Sequence, residues 1–522
     1  MSNIKVLDCT LRDGGYINDW NFGKEKSKII VELLQKSDID YIEIGFITTS
    51  HSSGSQTLYD SFDKIKKFLP KESIKSKIVG MITYGQFPLE LVPDEKDSPI
   101  GVIRVIFKKD KKTEALEYCR QIKAKGYKLF INPTYTDQYS EDEFDDLLKD
   151  IQIIKPYCFS IVDSMGVMKE KDILRFYHNI DNTLSKDIAL CIHSHNNLQL
   201  SFSNAQCLMK ICHKRELIID STVFGMGRGA GNLCTELITQ YINDNYKGHY
   251  YIVPILKIVD EQINPIFAKT PWGYSVPYYL AATNHCHPNY AKYLVDKQTV
   301  PVEIINELLK SIPDNKKAVY DVNLIKQIYL DNFSEKIEDF DVIEELKQKL
   351  KDRNILIMAP GKSLLTENQK IIDFIKSNNP YIISLNFIPN DYNIDVAFIS
   401  NLKRFASLDN YDKPMLVTSN IENVPQKASV LNYSSYLNNS KMYDNSALMC
   451  LKMLITAGVK KVYIAGLDGF SNVQTENYVS SDLINNAKES EFDERNFIMS
   501  EELNKFAKNI KLNFITKTNY EI

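Results

Sequence analysis

The feature that most constrains this chain is an alternation. Short β-rich runs recur at Val6–Thr10, Tyr41–Phe46, Lys77–Thr83, Val102–Phe107, Lys128–Asn132, Cys158–Val162, Ile188–His193 and Leu217–Val223. Between them lie amphipathic stretches such as Lys24–Lys36, Glu114–Lys125, Glu141–Ile154, Glu170–Ile180 and Leu198–Cys212. Strand–helix alternation implies a parallel sheet, because parallel neighbours need a crossover. Eight such units in roughly 240 residues is the length of a closed (β/α)8 TIM barrel. An open doubly wound sheet is the competing arrangement.

The barrel reading tests itself, since active sites in that fold sit at the carboxyl ends of the strands. The first run leads through Val6-Leu7-Asp8-Cys9-Thr10-Leu11-Arg12-Asp13-Gly14-Gly15-Tyr16, an apolar strand ending in an Arg-Asp pair and two glycines. Downstream, Cys191-Ile192-His193-Ser194-His195-Asn196-Asn197 has the same form. Other strand ends carry Glu43, Arg104, Asn132, Asp163-Ser164 and the run Gly225 to Asn232. Side chains two apart in a strand point the same way, so His193 and His195 share one face. An H-x-H alone reads more readily as two ordinary polar residues at a strand end. With Asp13 and its glycine turn, the expectation is that Asp13, His193 and His195 meet around one divalent metal. Two histidines and one carboxylate with open positions describe a catalytic ion rather than a closed structural site.

Length and composition bound the rest. A chain of 522 residues exceeds one core and predicts two domains. The composition, 44% hydrophobic and 25% charged with net charge −4, offers no basic field for a nucleic acid. Nine scattered cysteines without a C-x-x-C pair point to reduced thiols rather than a disulfide framework or zinc knuckle. Cys9 and Cys191 read as small core residues. No apolar run approaches the ~20 residues of a membrane span. The first strand begins soon after Met1, leaving no room for a signal peptide. The expectation is a cytoplasmic protein without a membrane partner.

Four segments occur in a telling order: Asp8-Cys9-Thr10-Leu11-Arg12-Asp13-Gly14, Glu43-Ile44-Gly45, His193-Ser194-His195-Asn196, and Gly225-Met226-Gly227-Arg228-Gly229-Ala230-Gly231-Asn232. Together they resemble the metal-dependent lyases and synthases that include 4-hydroxy-2-oxovalerate aldolase, hydroxymethylglutaryl-CoA lyase and 2-isopropylmalate synthase. The likeness covers residues 1–290. It implies that Asp13, His193 and His195 are metal ligands, that Asn232 is a further ligand, and that Arg12 steadies an enolate. Carbon–carbon cleavage or formation beside a ketone passes through an enolate. A divalent ion chelated by the 2-oxo and carboxylate oxygens of pyruvate, with Arg12 alongside, would neutralise that charge. Mn2+ or Mg2+ suits an oxygen-rich site without thiolates better than Zn2+.

One position departs from the pattern. After Arg-Asp-Gly-x, acyl-CoA-dependent Claisen members typically carry Gln and the pyruvate aldolase a His; here the residue is Tyr16. That argues against acyl-CoA condensation and leaves the proton carrier open. Tyr16 can serve if its pKa is lowered by the metal or Arg12. Gly273-Tyr274-Ser275-Val276-Pro277-Tyr278 loosely resembles the segment supplying a catalytic tyrosine in the aldolase, which makes Tyr278 the second candidate. His285 and His287 are supporting or purely structural. Glu43 is expected to orient Arg12 or to be structural. Arg104 faces the same mouth, to meet a carboxylate or phosphate or to form a barrel salt bridge. Asp163 and Ser164 hold a water or substrate hydroxyl, or cap the next helix; Asn132 is undecided.

Residues 291–350 read as a helical extension. From 351 to 522 a Rossmann-like three-layer α/β domain is expected, opening at Asn354-Ile355-Leu356-Ile357-Met358-Ala359-Pro360-Gly361-Lys362-Ser363. Gly361-Lys362-Ser363 mimics the end of a P-loop but lacks the earlier glycine, so ATP hydrolysis is not expected. With Asp444-Asn445-Ser446-Ala447-Leu448-Met449 and Val462-Tyr463-Ile464-Ala465-Gly466-Leu467-Asp468-Gly469, this half distantly resembles bacterial sialyltransferase-like surface-glycan proteins. No histidine follows His287, which argues against transfer. A nucleotide or sugar nucleotide held by Gly361, Lys362, Ser363 and Asp468 is the expectation, beside a merely structural domain. The combined reading is an aldolase or lyase taking a 2-oxo acid and an aldehyde, the latter carbohydrate-derived, and compatible with a homo-oligomer. Its alternatives are a Claisen-type synthase and a non-catalytic binding protein.

Overall fold

In the computed structural model the eight N-terminal runs are strands β1 (Ile4–Asp8), β2 (Tyr41–Ile47), β3 (Lys77–Thr83), β4 (Val102–Phe107), β5 (Lys128–Pro133), β6 (Cys158–Asp163), β7 (Ala189–Ser194) and β8 (Leu217–Ser221). Neighbours pair in parallel in sequence order, and β1 pairs with both β8 and β2. The sheet therefore closes into a TIM barrel, and the open-sheet alternative falls. The structure describes residues 3–49, 54–71, 75–333, 337–408, 413–438, 442–471, 473, 476–483 and 491–522. The chain divides into two compact units, Met1–Pro288 and Asn289–Ile522.

The strands are apolar on both faces because both are buried. Leu7, Tyr41, Val79, Phe130 and Ile218 pack inside the ring with Cys9 and Cys191, both 0% exposed. The opposite faces meet helices such as Lys24–Lys36, Lys112–Ala124, Glu141–Ile154, Glu170–Thr183 and Ser201–Ile211. The Glu141 helix starts with a capping box, in which the Ser140 hydroxyl accepts from the Glu143 N–H and the Glu143 carboxylate accepts from the Ser140 N–H. One link departs from the alternation. Between β3 and β4 there are only two 3-10 turns, Leu89–Leu91 and Glu95–Asp97. Pro88, Pro93 and Pro99 interrupt that segment, and each removes a helix donor.

β2 carries a register shift between Glu43 and Phe46, with Gly45 at φ +144°. A Cβ there would lie 2.0 Å from the Thr57 carbonyl oxygen, so both the backbone angle and the contact require glycine.

In the second unit, a seven-stranded parallel sheet contains β9 (Ile355–Met358), β10 (Tyr381–Leu385), β11 (Val396–Ile399), β12 (Met415–Thr418), β13 (Ala428–Leu431), β14 (Lys461–Ala465) and β15 (Lys511–Phe514). Their order is β13-β12-β11-β10-β9-β14-β15. β13 and β15 are short edge strands with partly exposed residues. Helices Val302–Lys310, Val322–Asn332 and Phe340–Leu350 fall in this unit. A buried relay ties helix Val322–Asn332 to it: the Tyr329 hydroxyl lies 2.6 Å from the hydroxyls of both Thr299 and Tyr433.

Gly45→Ala is expected to lower stability by about 2 kcal/mol or more, as strained positive-φ sites with backbone clashes do. A urea melt of the full chain reads this directly, and a midpoint equal to that of the wild type would refute the assignment.

Candidate metal centre

β1 ends one turn before Asp13, which begins the 3-10 turn Gly14–Ile17 and is 2% exposed. β7 delivers His193 within the strand and His195 just beyond it. Their ring centroids are 5.1 Å apart. His195 Nε2 lies 3.5 Å and His193 Nε2 4.0 Å from Asp13 Oδ2. All three ligand atoms lie within 4.8 Å of one another.

The partners of the opposite ring nitrogens fix what points at Asp13. His193 Nδ1 is 3.0 Å from Asp220 Oδ2, and His195 Nδ1 is 3.0 Å from the Asp163 carbonyl oxygen. A carbonyl only accepts, so Nδ1 of His195 carries a hydrogen, and in the neutral ring Nε2 is the nitrogen left with a lone pair. The ionised Asp220 assigns the same tautomer to His193. Burial lowers the His193 pKa, further favouring the neutral ring, although Asp220 and Asp13 pull the other way. Two lone pairs and a carboxylate oxygen thus converge in a buried space, an arrangement that fits a cation.

Burial alone would raise the Asp13 pKa, but the Arg12 guanidinium beside it holds it well below the usual carboxylate range. Arg12 Nη1 donates to Asp13 Oδ1 at 2.6 Å and its Nε donates to Glu43 Oε2 at 2.8 Å. The expected ion pair of Glu43 with Arg12 is therefore present. Asn232 Nδ2 donates to Asp13 Oδ2 at 2.6 Å and to the Met226 carbonyl at 3.1 Å. Its Oδ1 is buried with no hydrogen-bond partner, as an amide oxygen awaiting a ligand would be. Gly227 makes room for it, since a Cβ there would stand 2.2 Å from Asn232 Nδ2.

Below this site lies a buried ionic ladder. Arg104, 0% exposed, donates through Nη2 to Asp220 Oδ2 at 2.5 Å and approaches Glu43 Oε2 at 3.5 Å. Of the two readings left open for Arg104, its charge is engaged in the barrel salt bridge, although the side chain still borders the cavity. Burial opposes ionisation of Asp220, yet Arg104 and His193 bring its pKa down to about 2. Asp220 was missed from the sequence; its signal was a lone acid inside the apolar run Leu217–Ser221. A second triad, Cys9, His193 and Asp220, is also close enough to hold a metal. Burial raises the Cys9 thiol far above its ordinary pKa, and Asp220 is engaged by Arg104, so that triad serves as packing.

Arg12, Asp13, His193 and His195 border a cavity of about 500 Å³. Tyr16 faces it, edge-on to Trp20 at 4.7 Å. Its pKa is raised, not lowered: burial dominates, and the nearby Arg228 only partly offsets it. Without an ion beside it the phenol is therefore a protonated donor. Ser164 lines the cavity, its hydroxyl accepting from the Tyr135 N–H at 2.9 Å. Asp163 does not; its carboxylate accepts from the N–H groups of Val167 (2.9 Å) and Met168 (3.2 Å), closing the turn before the Glu170 helix. Burial lifts its pKa to about 7. Tyr278 is half-buried on helix Val276–Thr283 and is not among the residues bordering the cavity.

The expected phosphate turn of the second unit is already filled. Ser363 donates its N–H to Asp468 Oδ2 at 2.7 Å and its hydroxyl to Oδ1 at 2.5 Å. A Cβ on Gly361 would sit 2.5 Å from Asp468 Oδ2. Gly361, Ser363 and Asp468 thus form an internally hydrogen-bonded turn beside Lys362.

Residues 105–252 match the family described as HMGL-like. The chain is 21% identical over 271 residues to an oxaloacetate decarboxylase from Mycobacterium tuberculosis, covering 52% of this chain and 79% of that protein. It is 24% identical over 248 residues to a 4-hydroxy-2-oxovalerate aldolase from Geobacillus genomosp. 3, covering 46% and 70%. Among solved structures, pyruvate carboxylase from Rhizobium etli aligns with TM-score 0.50 at 11% identity, covering 66% of this chain and 38% of that one, a likeness of fold alone. The HMGL-like match lies within the barrel, and the relatives named above are an aldolase and a decarboxylase. These matches lend no support to the sialyltransferase-like resemblance. Among the described residues, no helix is long and apolar enough to cross a membrane.

Asp220→Asn should cost about 3 kcal/mol at pH 7, because Arg104 loses the nearer of its two carboxylate partners in the barrel interior. The folded-state pKa of about 2 lies below the unfolded value, so this contribution exists above about pH 4 and is lost as pH falls toward 2. Urea melts of both proteins should differ most near neutrality and converge in acid; a pH-independent gap would contradict the ladder.

Proposed function

We propose that the first unit is a divalent-metal-dependent aldolase acting on a 4-hydroxy-2-oxo acid, making or breaking a carbon–carbon bond through a pyruvate-type enolate. The observation that carries this is the convergence of the His193 and His195 lone pairs on Asp13, beside Arg12 and at the floor of the cavity. Asp13, His193, His195 and Asn232 would hold the ion, Mn2+ or Mg2+. When bound, such an ion polarises the 2-oxo group as a Lewis acid.

The chain's own groups supply the rest. Arg12 spends Nε on Glu43 and one Nη1 hydrogen on Asp13, leaving donors for the oxygen on which negative charge develops. Glu43 and Asp13 fix the guanidinium plane, so its orientation precedes substrate arrival. In condensation Tyr16, at the cavity wall, gives its phenolic proton to the alkoxide that forms on the aldehyde oxygen as the carbon–carbon bond closes; in cleavage the phenolate takes that proton back from the hydroxyl as the bond breaks and the enolate is released. Thr48, Thr83, Gln86, Asn132 and Thr134 give the far wall hydroxyl and amide groups, which supports a hydroxylated, carbohydrate-derived aldehyde as partner. Tyr16 in the place of Gln speaks against the Claisen alternative, for which thiol release from acetyl-CoA is the discriminating assay.

Deuterium exchange at the pyruvate methyl group tests the reading. Exchange should require added Mn2+, disappear on chelation, and fall at least about a hundredfold in Asp13→Ala. Exchange that survives either treatment would overturn it. Tyr16→Phe should lower aldol cleavage by about tenfold or more while Mn2+ affinity stays within about twofold, since the phenol touches none of the proposed ligands. Unchanged cleavage would move the proton to another group.

A further inference from the structure

The charged groups around the cavity fall into two sets. Arg12 and Arg104 are engaged by Asp13, Glu43 and Asp220. Lys108, just after β4, and Arg228, in the glycine loop after β8, also line the cavity. Among the described residues, neither has a carboxylate within ion-pair distance. Arg228 is half-buried, its guanidinium 5.0 Å from the Tyr16 ring, a contact that orients it without neutralising it.

We propose that Lys108 and Arg228 form an anion subsite that binds a phosphate monoester or carboxylate carried by the acceptor aldehyde. The inference rests on the aldolase reading and names the substrate class of the same cavity.

Three further observations support it. His287, 8% exposed, feels both cations: burial first, then the charges of Arg228 and Lys108, push its pKa down to about 3. A neutral imidazole adds no charge, and the field on that side remains positive. Tyr135 and Tyr16, the other titratable groups reached by Arg228, have raised pKa values through burial and are neutral as well. Asn132, 2% exposed, lines the same cavity with its Oδ1 lacking a hydrogen-bond partner, an acceptor set for a substrate hydroxyl. Finally, about 500 Å³ exceeds what a three-carbon oxo acid fills, so a second, larger substrate has space.

The test uses the full chain with Mn2+. For the wild type, Lys108→Met, Arg228→Met and Arg228→Lys, kcat/KM is measured in condensation of pyruvate with glyceraldehyde 3-phosphate, succinic semialdehyde and their neutral counterparts glyceraldehyde and butanal. The wild type should prefer at least one anionic aldehyde by about tenfold or more, the scale of one charge-assisted contact. Whether the phosphate or the carboxylate gains identifies the anion. Each Met variant should erase that preference, and Arg228→Lys should retain part of it. Equal losses on charged and neutral aldehydes, or a change in KM for pyruvate alone, would overturn the subsite. Calorimetric titration with glycerol 3-phosphate and with succinate adds a readout independent of turnover. Saturable, salt-weakened binding lost in Lys108→Met supports the subsite even if pyruvate exchange fails and the aldolase reading falls. Pyruvate exchange without anion binding or aldehyde preference sinks the subsite alone.

Discussion

Both oxygens of Asp13 are engaged, and the rest of the site follows from that. Arg12 takes one oxygen; Asn232 and the two imidazoles surround the other. These groups come from β1, β7 and the loop after β8, so a single carboxylate ties together the seam where the barrel closes. No group in this set is free to choose its orientation. Glu43 holds Arg12, while Asp220 and the Asp163 carbonyl hold the histidine rings. Such outer contacts are what keep a site within the tolerance that chemistry needs.

The cavity above divides by polarity and charge. Its floor carries engaged charges held in fixed geometry, and its outer wall carries Lys108 and Arg228 without acidic partners. On the proposed reading, that gradient would orient a bifunctional substrate with the oxo acid deep and the variable portion outward. The TIM barrel permits this because its strand ends and loops are set independently of the ring that supports them.

Much of this was legible in the residues themselves. Apolar runs with fixed spacing specify parallel strands, and β3 and β4 begin and end where the pattern places them. Polar residues at strand ends located Asp13, His193 and His195 because side-chain parity in a strand is reliable. Other features depend on contacts between segments distant in sequence. Asp220 meets Arg104 across 116 positions, and no local pattern announces a pairing of that range. The Gly361-Lys362-Ser363 turn carries a phosphate-binding spelling, but only folding brings Asp468 into it.

The ladder running inward from the site has an arithmetic of its own. Arg12 and Arg104 face Asp13, Glu43 and Asp220, two guanidiniums against three carboxylates, so the buried cluster retains one negative charge. A cation seated on the imidazole nitrogens would discharge that surplus, using donors that unfolding scatters to opposite ends of a sequence. Its binding energy would then appear in the thermal resistance of the ring as well as in turnover, because a ligand of the native state shifts the folding equilibrium by mass action. Starved of metal, such an enzyme would be expected to lose lifetime together with activity.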